Sequence, residues 1–117
     1  MNSNNYGSRE ACERLVKAGI VLETDAVFEN HVWSGGNEWV LILKSFAGTN
    51  YELLPTPSMA EVWRELPEGT TLQKWALGYQ AWIAPDYEKY HSQNTNPTDA
   101  LIDLLIFVKG LDTPKST

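Results

Sequence analysis

The sequence predicts an α+β domain in which an antiparallel sheet of four to five strands packs against three helices. Three observations carry that reading. Apolar residues recur at helical spacing in three separated stretches that carry cap residues at their ends. Between them run short segments rich in β-branched and aromatic residues, bounded by Gly, Asn and Pro. The 117 residues suffice for one hydrophobic core without metal or disulfide staples, so residues 1–117 read as a single domain with loose ends at 1–7 and 112–117.

The first helix is signalled over about Ser8–Ala18. Ala11, Cys12, Leu15 and Val16 share one face, and Glu10–Arg14 and Glu13–Lys17 form i, i+4 pairs on the other. Gly19 suits the left-handed position after the helix, with Ile20 packing back on Leu15. Two strands follow, near 26–33 and 39–45, around the SGGNE loop, where Gly35 and Gly36 supply positive φ. Phe28 and Val32 fall on one face of the first strand, and Val27, Glu29, His31 and Trp33 on the other. The second strand is apolar on both faces, as in a central strand covered on both sides. Tyr51–Leu54 reads as a third strand.

The LLPTPSMAEVWRELP block that ends at Pro67 then gives a proline elbow and a short helix. Pro55 and Pro57 hold their surroundings extended. Ser58 and Glu61 have capping-box spacing. Met59, Val62, Trp63 and Leu66 form an apolar stripe, which assigns Trp63 to the core. Residues 70–84, TTLQKWALGYQAWIA, match a helical template through Leu72, Trp75, Ala76, Tyr79 and Ile83, but Leu77-Gly78 at the centre suits a hairpin better. Residues 85–96 read as a polar loop. The last helix opens with Asn96 as cap and Pro97 at its first position and ends at Lys109-Gly110. Only Asp99 and Asp103 interrupt its apolar surface, as one exposed acidic stripe or, for Asp103, as the partner of a sheet lysine.

Composition narrows the function classes. Fifteen acidic against nine basic residues give a net charge of −6, which disfavours nucleic acid as a ligand and suits a protein partner that is itself basic. The single Cys12 excludes an internal disulfide framework, fits a reducing compartment and reads as a small buried hydrophobe. The start, MNSNNYG, has neither a charged n-region nor an apolar h-region. The longest apolar run, Ala100–Val108, is far shorter than the roughly 20 residues of a membrane span. The expected address is the cytoplasm, with no membrane contact.

The sequence contains no glycine-rich phosphate loop, nucleophile elbow or paired metal-ligand spacing, so no cofactor, metal or catalytic residue is assigned. His31 and His91 read as unrelated imidazoles. Asp86, Tyr87, Glu88, Tyr90 and His91 crowd the 85–96 loop, a composition capable of proton transfer. Trp33, Trp39, Trp63, Trp75 and Trp82 make the chain tryptophan-rich, and any left on an uncovered face would form an aromatic platform for a partner.

The opening helix with Cys12 and Leu15-Val16-Lys17-Ala18-Gly19, the LLPTPSMAEVWRELP block and the closing NPTDALIDLLIFVKGL together resemble a group of small phage and prophage proteins. The resemblance implies a strand–elbow–helix–hairpin–helix plan. The group has no agreed activity, so no site residue is carried over. The expected function is a non-enzymatic protein-interaction module, a phage or prophage accessory protein binding a host protein through Trp33, Trp75, Trp82, Tyr87, Tyr90 and His91. The alternatives are a small-molecule binder or enzyme using the 85–96 loop, and a homo-oligomeric structural protein joined through a sheet edge.

Overall fold

A computed structural model describes residues 5–48, 50–84 and 91–112, with Leu111 and Asp112 described through their backbone alone. Helix α1 spans Arg9–Lys17, strands β1 and β2 Ala26–Trp33 and Gly36–Leu43, and β3 Glu52–Thr56. Helix α2 (Met59–Glu65), strands β4 (Thr70–Trp75), β5 (Gly78–Ile83) and β6 (His91–Asn94), and helix α3 (Pro97–Asp112) follow, and a 3₁₀ turn at Lys44–Phe46 lies between β2 and β3. The strands form two antiparallel three-stranded sheets, β2-β1-β3 and β4-β5-β6, where the sequence suggested one sheet of four to five strands. Local alternation specifies strands and hairpins but not which hairpins join, and here α2 intervenes between the two sets.

The helices begin and end where their caps are. Ser8 accepts the Ala11 N–H at 3.2 Å. At the other end of α1, Gly19 at φ 77° lets its own N–H reach Val16 O and the Ile20 N–H reach Leu15 O, the two bonds of a Schellman ending. Ser58 and Glu61 form the capping box, with Glu61 N donating to Ser58 Oγ at 3.1 Å and Ser58 N to Glu61 Oε1 at 2.8 Å. The second oxygen of Glu61 accepts the Asp25 N–H at 3.0 Å, so the cap of α2 also fixes the entry to β1. Asn96 Oδ1 accepts from Thr98 N at 2.8 Å and Asp99 N at 3.2 Å to open α3. That helix runs through Gly110 to Asp112, past the expected stop.

The core is built on α3. Ala100, Leu101, Ile102, Leu104 and Leu105 are buried and pack with Ala11 and Leu15 of α1, Val62 of α2, and Ala81 and Ile83 of β5. Cys12 is buried beside them, and burial pushes its thiol up to about 12, against a smaller opposing effect from a hydrogen bond with Thr56. Several side chains depart from the sequence expectation. Trp63 is 45% exposed, because α2 turns Val62 and Glu61 inward and leaves Trp63 at the outer edge of its stripe. Val16 is likewise exposed.

The two acids of α3 do not form one solvated stripe. Asp99 is only 5% exposed and accepts the Ser8 N–H at 2.7 Å. Asp103 pairs with Arg14 of α1 at 2.8 Å rather than with a sheet lysine. Arg14 is therefore turned away from Glu10, and the i, i+4 pair found on α1 is Arg9–Glu13 at 2.9 Å. The segment just before α1 is also held. Gly7 N donates to Pro57 O at 3.0 Å and Asn96 Nδ2 to Tyr6 O at 3.3 Å, so Tyr6 and Gly7 are anchored. The expectation for residues 1–4 and 113–117 falls outside the described residues.

Candidate functional site

The 70–84 stretch is the hairpin the sequence favoured, and its register decides where its aromatic residues point. Thr71 pairs with Trp82, Gln73 with Gln80 and Trp75 with Gly78. On the other side of β5, Trp82 pairs with His91 and Gln80 with Gln93. Residues opposite one another in an antiparallel pair share a face, so Thr71, Gln73, Trp75, Gln80, Trp82, His91 and Gln93 lie on one face of the second sheet. The other face carries Leu72, Tyr79, Ala81 and Ile83, which pack on the α3 core, and Ser92, whose hydroxyl donates to Ala100 O. The aromatic face is therefore the one turned from the core.

Trp75 is 38% exposed, Trp82 is half-buried, and His91 is exposed. From the register, four residues of strand separate the rows of Trp75 and Trp82, about 13 Å at the usual rise. Gln73 and Gln80 fill the interval, with the Gln80 amide donating to Gln73 Oε1 at 3.3 Å. His91 is the only titratable group among these seven residues. The face thus presents flat aromatic area and amide donors and acceptors while carrying none of the acidic charge that dominates the chain.

Of the residues singled out in the sequence, Trp75, Trp82 and His91 come together here. His91 belongs to a strand rather than to the expected loop, because β6 (HSQN) joins the sheet through its backbone and has no apolar alternation to announce it. Trp33 is 53% exposed but belongs to the first sheet, beside the Ser34-Gly35 turn. Only Gly36 of the two glycines there has a positive φ. Tyr87 and Tyr90, with Asp86 and Glu88, lie outside the described residues.

A second constellation went unread. On the outer face of the first sheet, Glu29 is only 4% exposed. Its Oε1 lies 2.5 Å from His31 Nε2 and its Oε2 accepts the Gly48 N–H at 2.7 Å. The Tyr51 ring stacks on the imidazole, with centroids 4.6 Å apart. The hydrogen bond from His31, and secondarily that from Gly48, hold the Glu29 carboxyl below its ordinary value. A carboxylate in mid-strand, two residues before a histidine on the same face, was the available signal. Chemically the group orients an imidazole and fastens the segment after β2 to the sheet. No group of three or more metal-ligating side chains is found among the described residues.

The acid dependence of this fastening follows from the direction of the shift. A depressed folded value means that the contribution of Glu29 is complete above its ordinary 4.5 and disappears as pH falls through the lower folded value. The Gly48 amide is therefore expected to keep its hydrogen-bonded NMR shift above that pH and lose it on further acidification. In Glu29→Gln the same resonance should not follow this titration. A Gly48 shift that titrates identically in both proteins would remove Glu29 as the fastening group.

The chain matches no family model, no curated protein and no solved structure. No helix among the described residues is long and apolar enough to cross a membrane.

Proposed function

We propose that this chain is a non-enzymatic protein-interaction module, an accessory protein of the phage or prophage type, which binds a host protein through the outer face of its second sheet. The observation that carries the reading is the common side of Trp75, Trp82 and His91, turned from the core and interleaved with glutamines. Exposed aromatic side chains on a rigid element supply large contact area at low conformational cost, and such residues dominate interface energetics. The glutamines supply hydrogen bonds without a charge to desolvate. The resemblance of the Cys12 helix, the proline elbow and the closing helix to small phage proteins supports the accessory role.

The test is binding kinetics with a partner captured from host lysate, at two ionic strengths. Trp75→Ala and Trp82→Ala are each expected to raise koff on the order of 30-fold, the effect of removing one aromatic anchor. A basic partner should associate more slowly as salt rises, equally for wild type and variants, because the steering field comes from the net charge of −6. Trp33→Ala, in the other sheet, is the comparison and should leave koff near wild type. Unchanged dissociation in both hairpin variants would remove this face from the proposal.

A further inference from the structure

The second strand of the first sheet has the composition of a central strand and the position of an edge strand. β2 reads GNEWVLIL over Gly36–Leu43, apolar on both faces from Trp39 onward, yet it lies at the end of the order β2-β1-β3. Its pairing with β1 is continuous from Trp33↔Gly36 to Ala26↔Leu43, so no bulge twists the edge away. Unpaired edges are usually blunted by shortness, proline, lysine or a bulge. The other three edges follow that rule. β3 has five residues and contains Pro55, β6 has four, and β4 carries Lys74 in a six-residue strand. β2 has eight residues with no proline, lysine or bulge, and its one charged residue is Glu38.

Hydrogen-bond parity identifies the groups along this edge. The two-residue turn makes Trp33–Gly36 a hydrogen-bonded pair, and every second pair after it is of the same kind. Lys44 N donating to Asp25 O at 2.8 Å continues the series. The amides and carbonyls of Asn37, Trp39, Leu41 and Leu43 therefore point away from β1.

We infer that this edge pairs antiparallel with the same edge of a second copy of the chain, about a two-fold axis at Leu41, to give a continuous six-stranded sheet. A two-fold interface must be self-complementary, and this register is. Leu41 meets Leu41 of the second copy and Trp39 meets Leu43, all with outward-pointing backbone groups. Val40 meets Ile42 on the outer face. Glu38 comes opposite Lys44, which opens the 3₁₀ turn Lys44–Phe46 directly after the strand and whose N–H still bonds to Asp25 O in the β1–β2 series. Both Glu38 and Lys44 are exposed, and neither is in an ion pair within the chain among the described residues. The pairing is independent of the face of the second sheet.

The experiment is sedimentation equilibrium of the full chain, combined with amide hydrogen exchange. Wild type is expected to dimerise reversibly, with the Trp39, Leu41 and Leu43 amides becoming protected as concentration rises. Glu38→Lys puts two lysines opposite each other at both symmetric positions and should weaken the dimer at least tenfold. Glu38→Lys combined with Lys44→Glu restores opposite charges and should recover it, while circular dichroism confirms the fold of each variant. A chain that stays monomeric at millimolar concentration overturns the inference. So does a dimer in which those three amides exchange freely, or one whose strength is the same in Glu38→Lys.

Discussion

Leu101→Ala is expected to lower the stability of the chain by about 2–5 kcal/mol, a large part of the roughly 5–15 kcal/mol available to a domain. Leu101 is among the largest fully buried side chains and sits on α3, the element that touches α1, α2, β5 and β6. Neighbours on both sheet and helices are held by their own packing, so the space left by three removed carbons cannot simply close. Urea denaturation should show the midpoint falling with the slope unchanged. A loss below about 1 kcal/mol would mean that the site collapses freely, and α3 would not be the rigid centre described above.

Gly78→Ala should be comparably damaging for a different reason. Gly78 has φ +142°, and a Cβ there would lie 2.7 Å from Asn94 O and 3.1 Å from Thr95 Cα. Both obstacles are backbone. Asn94 pairs with Tyr79 in the sheet, and its side chain accepts the Asn96 N–H at 3.1 Å, while Asn96 caps α3. Relief of the clash therefore has to displace β6 or the start of the central helix. Overpacking and backbone strain each cost about 1–3 kcal/mol, so a loss of roughly 3 kcal/mol is expected, with NMR shift changes reaching His91–Asn94. Gly110→Ala is the control: it lies in α3 with nothing within 4 Å of its added methyl, and should stabilise by about 0.5–1 kcal/mol. Equal effects at the two glycines would refute the steric account.

What the sequence revealed was local. Gly19, the Ser58–Glu61 box and Asn96-Pro97 marked helix ends, because caps are chemistry between near neighbours. Leu77-Gly78 marked the hairpin for the same reason. The division into two sheets was not legible, since no local pattern states whether β3 continues toward β4. Nor was β6, whose polar HSQN pairs through its backbone. Trp63 misled because a stripe at helical spacing is wider than the surface a two-turn helix can bury. Asp99 and Asp103 were visible as oddities, but their partners, Ser8 N and Arg14, are about ninety positions away. At the candidate site, the grouping of Trp75 with Trp82 depended on register, which the turn alone did not fix.

The long separation of these partners has a consequence for how the molecule forms. The Ser8–Asp99 and Tyr6–Asn96 hydrogen bonds span 91 and 90 positions, and the central helix of the core follows all the other described elements in chain order. Contacts of that sequence separation close late and slow folding. The β1–β2 hairpin can form from near neighbours, but Ala11, Leu15 and Val62 lack the larger part of their core until α3 docks. Until α3 folds, the chain therefore presents the apolar side chains that this helix covers, together with the open β2 edge, and the core closes in a late step.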